Sequence, residues 1–67
     1  AFDRAIADYT KAIALDPKDA NFYYNRGVAY EKKSDKDQAI ADFRKALEIN
    51  PSDQAAKNNL KRLGVTP

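Results

Sequence analysis

Apolar side chains recur along this chain at intervals of three and four, and the recurrence breaks at the same kind of place each time. In residues 2–15, Phe2, Ala5, Ile6, Tyr9, Ala12 and Ile13 share one face of a helix that turns every ~3.6 residues. Asp16 precedes Pro17, and a residue before proline is pushed out of the helical region, so the helix is predicted to end near Leu15. Asp19 then stands where its carboxylate can cap a second helix, predicted over 20–33, with Phe22, Tyr23, Ala29 and Tyr30 as its larger apolar members. Gly27 lies inside that helix, where glycine costs about 0.8–1 kcal/mol relative to alanine, and close approach of a neighbouring helix is the expected compensation. Ser34 and Asp37 have capping-box spacing ahead of a third period at Ala39, Ile40, Phe43, Ala46 and Leu47. That period predicts a helix over 36–49, which Pro51 ends as Pro17 ended the first. A thinner stripe of Ala55, Ala56, Leu60 and Leu63 predicts a short helix over 54–63, stopped by Gly64 in a left-handed cap and followed by a tail of Val65, Thr66 and Pro67. No segment alternates with a period of two, so no strand is predicted.

The first and third helices are copies of one another. Setting each residue beside the one thirty-four positions later gives identity at Asp3/Asp37, Ala5/Ala39, Ile6/Ile40, Ala7/Ala41, Asp8/Asp42, Lys11/Lys45, Ala12/Ala46, Pro17/Pro51 and Asp19/Asp53. Tyr9/Phe43, Ile13/Leu47 and Leu15/Ile49 agree in kind. A period of that length with two helices per unit is the signature of the tetratricopeptide repeat. Where that family's pattern asks for a Trp-like aromatic, leucine, glycine and tyrosine, residues 20–53 hold Tyr23, Arg26, Gly27 and Tyr30; where it asks for alanine, an aromatic, alanine and proline, they hold Ala39, Phe43, Ala46 and Pro51. Ala5, Tyr9, Ala12 and Pro17 match the second half of a preceding repeat. The chain resembles the family over essentially its whole length. It departs from the pattern at Arg26 in place of leucine, at Ser34 in place of the inter-helix glycine, and at Lys36 in place of the aromatic that Phe2 supplies one repeat earlier.

The resemblance implies an all-α fold in which antiparallel helix hairpins stack as a right-handed superhelical solenoid, here about four helices in the register B-A-B-A. Gly27, Ala39 and Ala46 are then small where helices come close, with Tyr23, Tyr30 and Phe43 filling the space beside them, at crossing angles of about 20°. The chain divides into helix B of a preceding repeat (1–19), one complete repeat (20–53), a C-terminal capping helix (54–63) and a tail (64–67). The capping assignment rests on Lys57, Lys61 and Gly64, which replace Tyr23, Gly27 and Tyr30 and leave the outer face polar. The first helix lacks its own helix A, so Phe2 and Tyr9 are expected to stay open to water and to offer a surface for self-association as a two-fold dimer.

As a function the resemblance implies a non-catalytic protein-interaction scaffold that binds a peptide or protein segment on its concave helix-A face. Carried over position by position, that face comprises Asn21, Tyr24, Asn25, Val28, Glu31 and Lys32, continued on the last helix by Ala55, Asn58, Asn59 and Arg62. Asn25 and Asn59 hold the same position one repeat apart, where family members use asparagine to hold a peptide backbone. The carboxylate clamp of some members is not met, because Ala55 and Asn59 stand where it needs lysine and arginine. Tyr23 and Tyr30 are expected in packing, leaving Tyr24 free. The alternative reading is a structural or engineered repeat module that folds and self-associates as a homodimer without a dedicated ligand.

Composition narrows the chemistry further. The chain has no cysteine and no histidine, which removes disulfides, the usual zinc sites and His-based catalysis, and no cofactor or metal is expected. Ser34, Ser52, Thr10 and Thr66 have no base beside them, Asp8–Lys11 and Asp42–Lys45 read as pairs along one helix, and Asp35 and Asp37 lack the glycine of a calcium loop. Charged residues are 33% of the chain with a net charge of +2. Lys57, Lys61 and Arg62 form a small basic patch without interleaved aromatics, read as cations at a helix C-terminus, so nucleic acid is not an expected partner. No apolar run has membrane-spanning length and no leader is seen, so a soluble chain is expected, intracellular rather than secreted. The chain has no methionine and starts at Ala1, the pattern of a removed initiator, a fragment or an engineered chain. A domain of this size buries only about 60% of its unfolded surface, so stability of a few kcal/mol at most is expected.

Overall fold

The computed structural model describes residues 1–66, which form four helices: α1 (Phe2–Leu15), α2 (Ala20–Lys32), α3 (Lys36–Ile49) and α4 (Gln54–Arg62). No strand occurs among the described residues, and Pro67, the last residue of the predicted tail, lies outside them. The two proline turns are built alike. Asp16 and Asn50 turn extended at φ −142° and −129°, as a following proline demands, while their N–H groups still close the last helical turn onto Ala12 and Ala46. Asp19 and Asp53 then accept from Asn21 N–H at 2.9 Å and Ala56 N–H at 3.1 Å, capping α2 and α4 where the sequence placed the first of these caps.

The α2–α3 turn differs from the capping box read at Ser34 and Asp37. Ser34 sits in the left-handed region at φ 68° as the residue after the C-cap of α2. Its N–H donates to Glu31 O, and Asp35 N–H reaches back to Tyr30 O, both at 2.9 Å, which is a Schellman closure. Asp35, one residue later than read, caps α3 by accepting from Gln38 N–H. The same closure ends α4, with Gly64 at φ 83° donating to Lys61 O and Val65 N–H donating to Leu60 O. Each closure takes the last predicted helical residue into the cap, so α2 and α4 end one residue earlier than read. Val65 is no loose tail: it packs against the core.

Consecutive helices run antiparallel. Lys33 pairs with Asp3, and Arg26 reaches Thr10, tying α2 back along α1. In α3, Ala39, Phe43 and Ala46 are fully buried, and Phe43 is the centre of the core together with Leu60 from α4. Tyr24, Val28, Tyr30, Ile40, Leu47 and Leu63 close around this cluster. Gly27 shows why a glycine interrupts α2: a Cβ there would lie 2.8 Å from Phe43 Cε1, inside any tolerable contact with a ring that has nowhere to go.

Arg26, the departure from the family's leucine, is the polar member of this interior. Its Nε and Nη2 both donate to the Asp42 carboxylate at 2.8 Å, and Asp42 is only 4% exposed. Nη1 donates to Thr10 Oγ1 at 3.1 Å, and the Tyr23 and Tyr30 rings flank the guanidinium at 5.6 and 5.9 Å. One arginine thus joins α1, α2 and α3. Asp42 is not available to Lys45, which pairs instead with Glu48; Asp8 and Lys11 form no ion pair among the described residues.

Candidate functional site

α2 and α4 are parallel neighbours, joined by side chains that the sequence nominated for ligand contact. Tyr24 packs its ring on Phe43 with centroids 5.6 Å apart, and its hydroxyl accepts from Asn59 Nδ2 at 3.1 Å. Arg62 Nη2 donates to Asn59 Oδ1 at 3.0 Å and to Glu31 Oε1 at 2.8 Å, while Nη1 donates to Glu31 Oε2. The hydrogen bond from Arg62 holds the Glu31 carboxyl below its ordinary value, and the same bond raises the Arg62 guanidinium. The expectation of a free Tyr24 is therefore overturned, since its ring is claimed by the core and its hydroxyl by Asn59.

Six of the nominated residues, Tyr24, Val28, Glu31, Lys32, Asn59 and Arg62, surround one open depression of about 420 Å³. Its floor is apolar at Val28 and the Tyr24 ring, and its rim is polar. Lys32 is the cation on this rim without an ion-pair partner among the described residues. The other nominees lie elsewhere. Asn21 borders a polar cleft of about 390 Å³ between the two proline turns, Asn25 borders a depression between α1 and α2, and Asn58 is exposed and accepts from Gln54 Nε2 at 3.1 Å. Ala55 is exposed on α4. Asn25 and Asn59, equivalent in the repeat, do not share a site.

Phe2 is 46% exposed and Tyr9 half-buried; both border the α1–α2 depression of about 190 Å³ together with Asn25. Leu15, not nominated, is the most open large apolar side chain at 83%. The Arg26–Asp42–Thr10 cluster was also missed. Its signal was available: an arginine at a leucine position of an apolar stripe needs a carboxylate, and Asp42 lies on the face of the next helix that carries Ala39 and Ala46. No helix of the described residues is long and apolar enough to cross a membrane.

Stacked antiparallel helices with repeating turns, repeating caps and a shared helix-A face define an α-helical repeat protein. The profile described as Tetratricopeptide repeat matches residues 20–53, and that described as TPR repeat matches residues 1–34. The chain belongs to the tetratricopeptide repeat family, whose repeats generally mediate protein–protein interaction. No curated protein matches it.

Proposed function

We propose that this protein is a non-catalytic interaction scaffold that binds an extended segment of a protein partner across the α2–α4 face. The observation that carries this reading is the convergence of Tyr24, Val28, Glu31, Lys32, Asn59 and Arg62 on one depression. Glu31, Asn59 and Arg62 hold one another in place, so the rim is ordered before a ligand arrives and little side-chain entropy is lost on binding. Lys32 supplies a charge that no ion pair neutralises among the described residues, which favours an acidic segment. The test is selection from a random peptide library on the intact chain, followed by affinity measurement with Lys32→Glu. Acidic peptides whose affinity falls by about tenfold or more, with helicity unchanged, support the reading. Peptides that bind Lys32→Glu as well as the parent chain, or a library that yields none, overturn it.

A further inference from the structure

The hydrogen bonds across the α2–α4 face run in one direction, and that direction is fixed by Arg62. A guanidinium has donors and no acceptor, so the Asn59 atom that meets Arg62 Nη2 at 3.0 Å is the amide oxygen. The amide nitrogen of Asn59 is thereby turned to Tyr24, 3.1 Å from the hydroxyl, and a nitrogen that can only donate makes the hydroxyl oxygen the acceptor. The Tyr24 hydroxyl proton is left over. It donates to no group among the described residues, although the side chain lines the depression. Both Glu31 oxygens accept from Arg62, as Asn59 Oδ1 does, so the acceptors of the rim are already engaged. What the face still offers is a pair of donors, the Tyr24 hydroxyl and the unpaired Lys32 ammonium.

Val28 lies between those two donors and belongs to the apolar floor. Tyr24, Val28 and Lys32 follow one another at four-residue steps on α2, which sets them about 6 Å apart along the helix axis. An extended chain places every second side chain on one side, at a step of about 6.6 Å. The two spacings stay in register over three side chains. A segment laid along α2 therefore meets Tyr24, Val28 and Lys32 with alternate residues, and the residues between them point away.

We propose, building on the α2–α4 reading above, that the bound segment carries a carboxylate, an apolar residue and a second carboxylate at alternate positions. Tyr24 donates its hydroxyl proton to one carboxylate, Val28 takes the apolar side chain, and Lys32 pairs with the other carboxylate. A carboxylate presents acceptors whichever way it turns, whereas a carboxamide of the same shape has a donor on one side and no charge. Asn59 is a positioning residue, acting through Tyr24 by deciding where its hydroxyl proton points.

The probe is a synthetic peptide of aspartate, serine, valine, serine and aspartate, acetylated and amidated at its ends, titrated into the intact chain and followed by NMR. Saturable shifts are expected at the Val28 methyl groups and the Asn59 side-chain amide, with affinity falling about tenfold or more when asparagine replaces either aspartate. Tyr24→Phe keeps the ring that packs on Phe43 and removes the proton, so it should abolish the acid–amide difference at one end of the peptide only. Lys32→Gln should abolish it at the other end. Asn59→Asp accepts from both Arg62 and the Tyr24 hydroxyl, which turns the proton inward, and should reproduce the effect of Tyr24→Phe; a loss of packing would weaken the acid and amide peptides alike. Absence of saturable binding overturns the proposal, as does an acid–amide difference that survives Tyr24→Phe at both ends or is unmoved by Asn59→Asp. If that happens while library peptides still lose affinity in Lys32→Glu, the role of Tyr24 falls and the scaffold reading stands.

Discussion

Arg26 and Asp42 form the interaction on which most depends at the level of single residues. The guanidinium is held above its ordinary value chiefly by its hydrogen bonds to Asp42, so it stays charged through the accessible pH range. An ion pair this buried is a poor source of net stability, because the gain in attraction is offset by lost hydration, but it is costly to break from one side. Arg26→Ala is expected to destabilise the chain by about 3 kcal/mol, since it strands a buried carboxylate, whereas Arg26→Leu combined with Asp42→Leu should fall within about 1 kcal/mol of the parent. Urea denaturation of the two variants checks this, and equal losses in both would remove the argument. Reading Asp42 as a partner for Lys45 followed from local spacing. The true partner lies on another helix, and no spacing rule within one helix reaches it.

At the level of elements, the helices were legible where proline and aspartate punctuate the chain. α1 and α3 have the predicted bounds because Pro17 and Pro51 force an extended residue before them, a local steric effect with no tertiary competitor. The end of α2 was not legible, because Ser34 adopts a left-handed backbone that a serine does not announce. The two carbonyl groups satisfied by the Schellman closure hold it there. Ser34→Gly is therefore expected to stabilise the chain by about 1 kcal/mol without moving α2 or α3, measurable as a higher thermal midpoint. A lower midpoint would show that the serine side chain contributes more than its backbone costs. The proposed ligand face was half legible: helical register brought six nominees together, but whether a polar side chain on that face is open or already bonded to its neighbour depends on distances between helices.

On the scale of the whole molecule, the Cα radius of gyration of 10.9 Å equals that of an ordinary globule of this length, about 10.9 Å. The shape is still a slab of 28 × 25 × 14 Å, little thicker than one helix with its side chains, so every helix keeps a face toward water. Among the described residues only Phe43 and Leu60 are large and fully buried, and ties between helices carry correspondingly more weight. The Glu31–Arg62 tie makes stability depend on acid. Glu31 has a folded value below its ordinary 4.5, so the contribution of the pair is complete above that value and is lost as pH falls through the lower, folded one. Without histidine or cysteine, no side chain ordinarily titrates between about pH 6 and 8, and stability should be flat there. Urea midpoints of the parent and Arg62→Gln should differ at neutral pH and converge in acid, as the pH falls below the ordinary 4.5 of Glu31. A gap that persists in acid would give Arg62 a role that does not pass through Glu31.

The hydrogen bond from Arg26 to Thr10 limits how this chain can be lengthened by duplication. Thirty-four positions on, threonine is replaced by Arg44 and arginine by Leu60, so each junction carries one guanidinium and one residue that tolerates it. Copying residues 20–53 end to end would set the arginine of every unit against Arg44 of the unit before. The complete repeat is not an interchangeable brick. A longer array made from it needs threonine at the first of these positions or leucine at the second, the two solutions that this chain already contains.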